Sequence, residues 1–457
     1  MRYISTRGRS PEAGFDEVLT RALAPDGGLY VPAAYPQLPG EIAGLDFAGT
    51  AARVLAAFAG GDIAEDEARG MTDAAYATFR HPEAAPVGDL AGRKVLELHH
   101  GPTLAFKDVA MQLLARLFER SLKRSGRTMQ VIVATSGDTG GAAVAALAGR
   151  ENIRLCVLHP YGRISPVQRR FMTTSGAPNI LNLAVEGTFD DCQSIVKALF
   201  ADRDFSDRVS LGGVNSINWA RIAAQVTYYL TACHKVGGGP VHFSVPTGNF
   251  GDVFAGWVAK QLGAPVGRLV VAVNENDILD RALRTGIYDK RGITPTSSPS
   301  MDIEVASNFE RALFEASGRD AAATAGMMGQ LKDDGQFAIP DPLLAVLRGD
   351  FASYRAAEDE VRSMIARVEQ ATGELVDPHT AIGLVAADAA RRDGLEGEIV
   401  TLATAHAAKF PEAVEAATGR RPELPVPADE LFGGDELFSV CPADEGAVKA
   451  AIIGQSR

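Results

Sequence analysis

Cysteine is scarce in this sequence, and the few cysteines lie far apart. Four are present in 457 residues, and no two of them form a CxxC pair: Cys156, Cys192, Cys233 and Cys441. Short cysteine spacings are typical of zinc sites, and dense cysteines are typical of small secreted proteins. We therefore expect no metal site and no disulfide framework, and a reducing, cytoplasmic location.

Long apolar runs and an excess of positive charge are also absent. No apolar run reaches the length that crosses a bilayer, and the first residues, MRYISTRGRSPEAG, lack the apolar region of a secretory signal. Acidic residues outnumber basic ones by 57 to 45, which gives a net charge of −12. Such a chain lacks the basic surface that binds nucleic acid or anionic membranes. We expect a soluble protein with neither partner.

From about residue 95 onward, short β-rich apolar runs alternate with small-residue loops and helical patterns. The runs cover 131–133, 241–245, 269–273 and 399–402. This alternation predicts βαβ units of the α/β class, with a largely parallel sheet covered on both faces. Because ligands bind beyond the carboxyl ends of such strands, the loops that follow them are the predicted site.

A lysine at the start of a predicted helix is the first candidate. Lys107 follows the segment GPTLAF, and an amphipathic helical pattern comes after it. Asp108 is the expected N-cap of that helix. The positive end of a helix dipole disfavours an ammonium ion, and an imine with an aldehyde cofactor requires a neutral amine. Taken alone, a surface lysine beside its counter-ion is the commoner explanation.

A glycine-rich turn between a strand and a helix is the second candidate. The segment PTGNFGD at 246–252 is expected to expose backbone amides at the positive end of a helix, which suits a phosphate. It has neither a Walker lysine nor GxGxxG spacing, so a static phosphate monoester fits it better than a transferred group. A tight turn with glycines for geometry alone explains it about as well.

A second small-residue loop, ATSGDTGG at 134–141, also joins a strand to a helix. Its hydroxyls and amides could hold a carboxylate at the helix N-terminus. Asp138 is unusual in an anion site, however, and serine, threonine and aspartate are common helix caps and turn formers. We therefore expect at least one of these side chains to serve the loop itself.

Taken in this order, the three segments resemble the threonine synthase family, which belongs to the fold-type-II pyridoxal-phosphate enzymes. Further matching segments are DGGLYVP at 26–32, VNSINWAR at 214–221, SNFER at 307–311, DPHTA at 377–381 and LATAHAAKF at 402–410. The resemblance implies parallel-sheet βαβ domains with an extra N-terminal domain at 1–95. The cofactor-binding α/β region would cover 96–457, with a small mobile subdomain at roughly 125–235 and the remainder forming a large domain.

The resemblance implies the cofactor pyridoxal 5′-phosphate and the residues that hold it. Lys107 would carry the cofactor covalently and, once released from it, serve as general acid and base. The hydroxyl of Thr404 resembles the one that faces the pyridine nitrogen and leaves that nitrogen neutral. The cofactor phosphate would lie on the GNFG turn: Gly248, Asn249, Phe250 and Gly251.

The implied substrate is O-phospho-L-homoserine, which would react with water to give L-threonine and phosphate. The residues expected to grip its carboxylate are Thr135, Ser136, Gly137, Asp138 and Thr139. Those expected to bind its phosphate are Asn215, Ser216 and Arg221, whose guanidinium offers a fork of donors. Related enzymes carry asparagine where this chain has Asp138, so the group that contacts the cofactor's 3′-oxygen is left open.

Other functions stay open at this point. A phospho-lyase of the same family would use the same residues and release a 2-oxo acid. A serine or threonine dehydratase of this fold would not need Ser216 and Arg221, and a non-catalytic metabolite-binding protein would not need Lys107. A nicotinamide dehydrogenase is disfavoured because neither loop has GxGxxG spacing. The sequence carries no signal for an oligomeric state.

Overall fold

The structure is a computed structural model, and it describes residues 1–38, 40, 42–426 and 428–455. The strands are β1 (Tyr3–Ser5), β2 (Tyr30–Pro32), β3 (Val87–Leu90), β4 (Arg93–Glu97), β5 (Met129–Ala134), β6 (Ile153–Pro160), β7 (Ile180–Glu186), β8 (Leu211–Gly213), β9 (Val241–Pro246), β10 (Val266–Val273), β11 (Ile287–Asp289), β12 (Gln336–Ala338), β13 (Phe351–Arg355), β14 (Glu398–Ala403) and β15 (Ser439–Pro442).

The α-helices are α1 (Phe15–Arg21), α2 (Phe47–Ala59), α3 (Glu65–Tyr76), α4 (Lys107–Ser125), α5 (Asp138–Leu147), α6 (Pro166–Thr173), α7 (Phe189–Ala201), α8 (Arg203–Val209), α9 (Trp219–Val236), α10 (Gly251–Gln261), α11 (Ile278–Thr285), α12 (Phe309–Ala316), α13 (Ala321–Asp333), α14 (Asp341–Asp350), α15 (Glu358–Thr372), α16 (Pro378–Arg392), α17 (Pro411–Thr418), α18 (Ala428–Phe432) and α19 (Glu445–Gln455). Short 3₁₀ helices cover Pro299–Met301 and Ala407–Lys409. None of these helices is long and apolar enough to cross a membrane.

The larger sheet has six strands, in the order β13–β10–β9–β14–β4–β3. All neighbouring pairs are parallel except β4 and β3 at one edge. Helices cover both faces, since Val271 of β10 packs in one core with α10 while Val270 packs in another with α16. The predicted α/β fold with a largely parallel sheet is therefore confirmed.

A second, fully parallel sheet has the order β15–β7–β6–β5–β8. Its outer strand β15 comes from the C-terminal segment, and α19 packs beside α7. The sequence-based grouping placed this segment with the large domain instead. No local pattern signals the pairing, because β15 meets a strand more than 200 residues earlier in the chain.

The N-terminal region contains the antiparallel pair β1–β2 and helices α2 and α3, which pack on α9 and α4. The predicted boundary at residue 95 falls inside β4, and β4 belongs to the larger sheet. The hairpin β3–β4 therefore extends the sheet across the expected domain edge.

Helix α4 begins at Lys107 as predicted, but the expectation that Asp108 caps it is wrong. Phe106 is the N-cap residue, and the Asp108 carboxylate instead accepts hydrogen bonds from the amide and hydroxyl of Thr103, at 2.7 and 2.8 Å. The chain at Gly101 passes so close that a Cβ there would lie 2.4 Å from Asp108 Cβ. Asp108 therefore folds the preceding turn against the helix and fixes where Lys107 emerges.

Candidate active site

A cavity of about 510 Å³ lies where strands from both sheets end. Residues at or just beyond the carboxyl ends of β5, β8, β9 and β14 line it: Ala134, Gly213, Pro246 and Thr404. This is the edge at which parallel sheets bind ligands. The structure thus confirms that the loops after these strands converge on one place.

Most of the predicted site residues line this cavity. They are Lys107, Asp138, Thr139, Asn215, Ser216, Arg221, Gly248, Asn249, Phe250, Gly251 and Thr404. The other three predicted residues, Thr135, Ser136 and Gly137, are not among the lining residues. Lys107 and the two segments expected to bind phosphates therefore line one cavity.

Lys107 is buried in this cavity, with 9% of its surface exposed. Its Nζ lies 3.3 Å from Asp138 Oδ2 and 3.4 Å from Ser300 Oγ. Burial lowers the pKa of Lys107; Asp138 opposes this shift, while Lys409 and Arg221 reinforce it. A buried lysine with a lowered pKa fits an aldehyde cofactor, because the neutral amine is the nucleophile.

The GNFG turn leads directly into the first turn of α10. Phe250 adopts a left-handed backbone conformation with φ of 64° and provides no capping hydrogen bond to this helix. At Gly248 a Cβ would lie 2.8 Å from the carbonyl oxygen of Ser300, so the close approach of the backbone requires glycine. Uncapped amides at the start of an eleven-residue helix are suited to hold a phosphate.

Arg221 lies on α9 and lines the same cavity as Thr404, with 3% of its surface exposed. Its Nη1 donates to the carbonyl of Val214 at 3.0 Å, while its buried Nε has no partner among the residues that the structure describes. Burial lowers the pKa of Arg221 to about 10. An unused donor on a buried guanidinium is suited to an anionic partner, so this side chain fits a second negatively charged group.

Side chains of the ATSGDTGG loop stabilise the loop itself as well as line the cavity. The hydroxyl of Thr135 accepts hydrogen bonds from the amides of Gly137 and Gly140, at 2.9 and 3.0 Å. Thr135 therefore shapes the loop that opens α5, as expected for at least one of its side chains. Ala134, Asp138 and Thr139 are the members that reach the cavity.

Asp138 is surrounded by donors rather than placed to bind an anion. Its carboxylate accepts hydrogen bonds from Ser300 Oγ at 2.9 Å and Gln168 Nε2 at 3.1 Å, and it pairs with Lys409 Nζ at 2.9 Å. Burial alone raises the pKa of Asp138, but Lys409 and Lys107 outweigh it and hold the pKa well below its usual range. The side chain is thus a buried, permanently charged carboxylate beside Lys107.

Sequence reasoning missed several groups around this cavity. They include Arg21, Gln168, Asp252, Ser300, His379 and Lys409. Three of them, Asp252, His379 and Lys409, lie in segments that carried the family resemblance but were given no role. His379 pairs through Nδ1 with Asp377 at 2.7 Å, and Lys409 is the penultimate residue of the LATAHAAKF segment. A lysine in a segment that is otherwise almost wholly apolar was the one signal that pointed to Lys409.

Three family models match consecutive parts of the chain: "Threonine synthase N terminus" at residues 2–76, "Pyridoxal-phosphate dependent enzyme" at 95–338 and "Threonine synthase, C-terminal" at 380–452. The threonine synthase of Pseudomonas aeruginosa is 47% identical, over 99% of this chain and 98% of that protein. The chain belongs to the threonine synthase family.

Solved structures agree with this assignment. The PLP-bound threonine synthase of Brucella melitensis has a TM-score of 0.95 and 49% identity, with 100% of both chains covered. Yeast threonine synthase has a TM-score of 0.93 and 36% identity, covering 100% of this chain and 98% of that one. This threonine synthase family member is a pyridoxal-phosphate enzyme, and Lys107, the GNFG turn and Thr404 fit that cofactor.

Proposed function

We propose that this threonine synthase family member converts O-phospho-L-homoserine and water into L-threonine and phosphate. The observation that carries the proposal is Arg221, which lines the same cavity as Lys107 and has an unpartnered Nε within the described residues. A second anion in that cavity, besides the cofactor phosphate, would satisfy this donor. A serine or threonine dehydratase has no substrate phosphate, so it would leave the buried cation without a partner.

Two separate groups of residues would each hold one of the two phosphates. The amides of the GNFG turn at the start of α10 would hold the cofactor phosphate, and Thr404 would face the pyridine nitrogen. Arg221, with Asn215 and Ser216 beside it, would hold the substrate phosphate and stabilise its charge as it leaves. Thr139 and the amides at the start of α5 would orient the substrate carboxylate.

Lys107 would perform the proton transfers. When bound, pyridoxal phosphate supplies an electron sink for negative charge that forms beside the substrate's amino group. Lys107 Nζ would accept and return protons at the substrate carbons, a role that its lowered pKa favours. Helix α7 lines the cavity from the side of the second sheet, so movement of the subdomain at roughly 125–235 would exclude water during the reaction.

The test is to incubate the purified, cofactor-loaded protein with O-phospho-L-homoserine and to identify both products. We expect threonine in an amount equal to the phosphate released, and no product from Lys107→Ala. Phosphate with an equal amount of a 2-oxo acid would assign the phospho-lyase reaction instead. No phosphate from the wild-type protein would contradict the substrate.

We also propose a cytoplasmic location, with neither nucleic acid nor membrane as a partner. The four cysteines are unpaired and buried, which suits a reducing compartment. The net charge of −12 disfavours binding to polyanions. Cell fractionation and electrophoretic mobility with DNA and RNA test these two statements, and a membrane-bound or shifted protein would contradict them.

A further inference from the structure

We propose that Lys409 is a positioning residue that controls the proton on Lys107 by neutralising Asp138, the carboxylate between the two lysines. The proposal goes beyond the reaction above and rests only on the cofactor being carried by Lys107, not on the identity of the substrate. Asp138 offers one oxygen to each lysine: Oδ1 lies 2.9 Å from Lys409 Nζ, and Oδ2 lies 3.3 Å from Lys107 Nζ.

All three groups are shielded from water. Lys409 is 1% exposed, Asp138 3% and Lys107 9%. Lys409 is also fixed in place, because its Nζ donates to the carbonyl of Thr103 at 2.7 Å. Interactions between charges at such depth are screened little by solvent, so each charge strongly affects its neighbours.

Charge balance explains why a second lysine is needed. If Asp138 had only Lys107 as a partner, loss of the proton from Lys107 would leave a buried carboxylate unpaired, which is unfavourable. With Lys409 present, the carboxylate keeps a cationic partner whether or not Lys107 carries a proton. Lys107 can therefore release and recover a proton, as proton transfer to a substrate requires.

Asparagine at the position of Asp138 would need no such partner. A neutral amide beside Lys107 leaves no charge to neutralise at 138, so a buried lysine at 409 would lose its ion pair and keep only the weaker interaction with Asp108. The aspartate and Lys409 thus form a matched pair within one site. Other donors to the carboxylate, Ser300 and Gln168, are neutral and do not alter the charge count.

Other charged or titratable groups lie around the three residues and are the same in all four proteins. They are Asp108 on helix α4, Arg221 on α9, Asp252 on α10 and His379 on α16, with Arg21 on α1 and Lys197 on α7 elsewhere in the cavity lining. Repulsion from Arg221 acts in the same direction as that from Lys409. Any difference in the titration midpoint between variants at positions 138 and 409 is therefore due to the Asp138–Lys409 pair.

The experiment titrates the visible absorbance of the cofactor-loaded protein, which reports the proton on the nitrogen of Lys107. Four proteins are compared: wild type, Asp138→Asn, Lys409→Met and the double variant. We expect Asp138→Asn to lower the midpoint, because an anion is lost and Lys409 is left unpaired. We expect Lys409→Met to raise the midpoint of this titration by about one pH unit or more, both with Asp138 present and in the Asp138→Asn protein.

The double variant keeps the comparison valid if a single variant folds poorly, because it removes both members of the Asp138–Lys409 ion pair together. It is expected to unfold at a higher temperature than either single variant. The exposed pair Lys94–Asp89, 3.6 Å apart, provides the matched control: Lys94→Met with Asp89→Asn should leave the midpoint unchanged.

A purely structural role for Lys409 would change unfolding temperatures and leave the midpoint unmoved in both backgrounds, and that result would overturn the proposal. A lower midpoint in Lys409→Met would overturn it as well. The titration uses no substrate, so a failure of the threonine assay leaves it unaffected. A wild-type protein without a visible band would overturn the assignment of the cofactor to Lys107 together with this proposal.

Discussion

Two buried arginines, Arg221 and Arg311, lie at similar depth in the molecule but use their donors differently. Arg221 is 3% exposed and Arg311 is 0% exposed, and burial lowers the pKa of each to about 10. Arg311 donates from Nε and Nη2 to the carbonyl of Tyr30, at 3.0 and 2.9 Å, and from Nη2 to the carbonyl of Ile217 at 2.7 Å. Arg221 donates from Nη1 to the carbonyl of Val214 at 3.0 Å and lines the cavity.

The difference is that the donors of Arg311 are used within the fold, whereas, among the residues described, one buried donor of Arg221 is not. Arg311 joins the N-terminal strand β2 to the loop before α9, and its Nη1 also donates to Asn308 Oδ1. Its donors are satisfied by backbone and amide oxygens. Arg221 retains a buried Nε without a partner in the described part of the chain. Since buried polar groups are nearly always paired, this unused donor supports the proposal that Arg221 binds a ligand.

The sharpest test of this comparison is Arg221→Met. We expect kcat/KM for O-phospho-L-homoserine to fall by about a thousandfold, because a donor to the departing charge is lost. The unfolding temperature should stay equal or rise, since the variant removes a buried charge that lacks an ionic partner in the ligand-free protein. Phosphate-release kinetics and thermal unfolding measure the two effects. Arg221→Lys should recover only part of the activity, because lysine lacks the guanidinium fork.

The reverse pattern is expected for Arg311→Met. Removal of the guanidinium leaves the buried carbonyls of Tyr30 and Ile217 without a donor, so the free energy of unfolding should fall by about 3 kcal/mol. The activity of the protein that remains folded should fall less than tenfold. Urea unfolding measures the change in stability, and kinetics at equal concentrations of folded protein measure the change in activity. If Arg311→Met retained its stability and lost its activity, the two arginines would have been assigned the wrong way round.

Residue spacing alone does not distinguish these two arginines, and it was the family resemblance that assigned the substrate phosphate to Arg221 and gave Arg311 no role. What the sequence predicted well was local: Lys107 at a helix start, and the GNFG turn between β9 and α10. It failed wherever the structure depends on contacts between distant residues. Ser300 meets Asp138 from 162 positions away, and Asp108 caps a turn rather than its own helix because the chain folds back at Gly101.

A smaller effect concerns Asp252, a charged neighbour that Arg221 has and Arg311 lacks. Burial raises the pKa of Asp252 to about 6, although hydroxyls of Tyr228 and Tyr229 donate to its Oδ1 at 2.5 and 2.9 Å and lower it. An acid with a raised folded-state pKa stabilises the fold fully below its unfolded pKa and loses that contribution as pH rises through the folded pKa.

Asp252→Asn should therefore stabilise the protein at pH 8 and change little at pH 4. We expect the difference in unfolding free energy between the variant and wild type to grow by about 2 kcal/mol across this interval. Urea unfolding at several pH values measures it. A difference that does not depend on pH would show that Asp252 titrates in its usual range.

The smallest expected effect is that of Asn308→Ala, which removes a link between the two compared regions. Asn308 accepts from Arg311 and donates through Nδ2 to the carbonyls of Asn249, at 3.1 Å, and Ser216, at 3.3 Å. It thereby ties the GNFG turn to the segment that leads to Arg221. Loss of one or two such hydrogen bonds costs about 1 kcal/mol, so the Kd for pyridoxal phosphate should rise by somewhat under tenfold. Fluorescence titration of the cofactor-free protein measures this Kd. An unchanged Kd with a lowered unfolding temperature would place Asn308 with Arg311 as a purely structural residue.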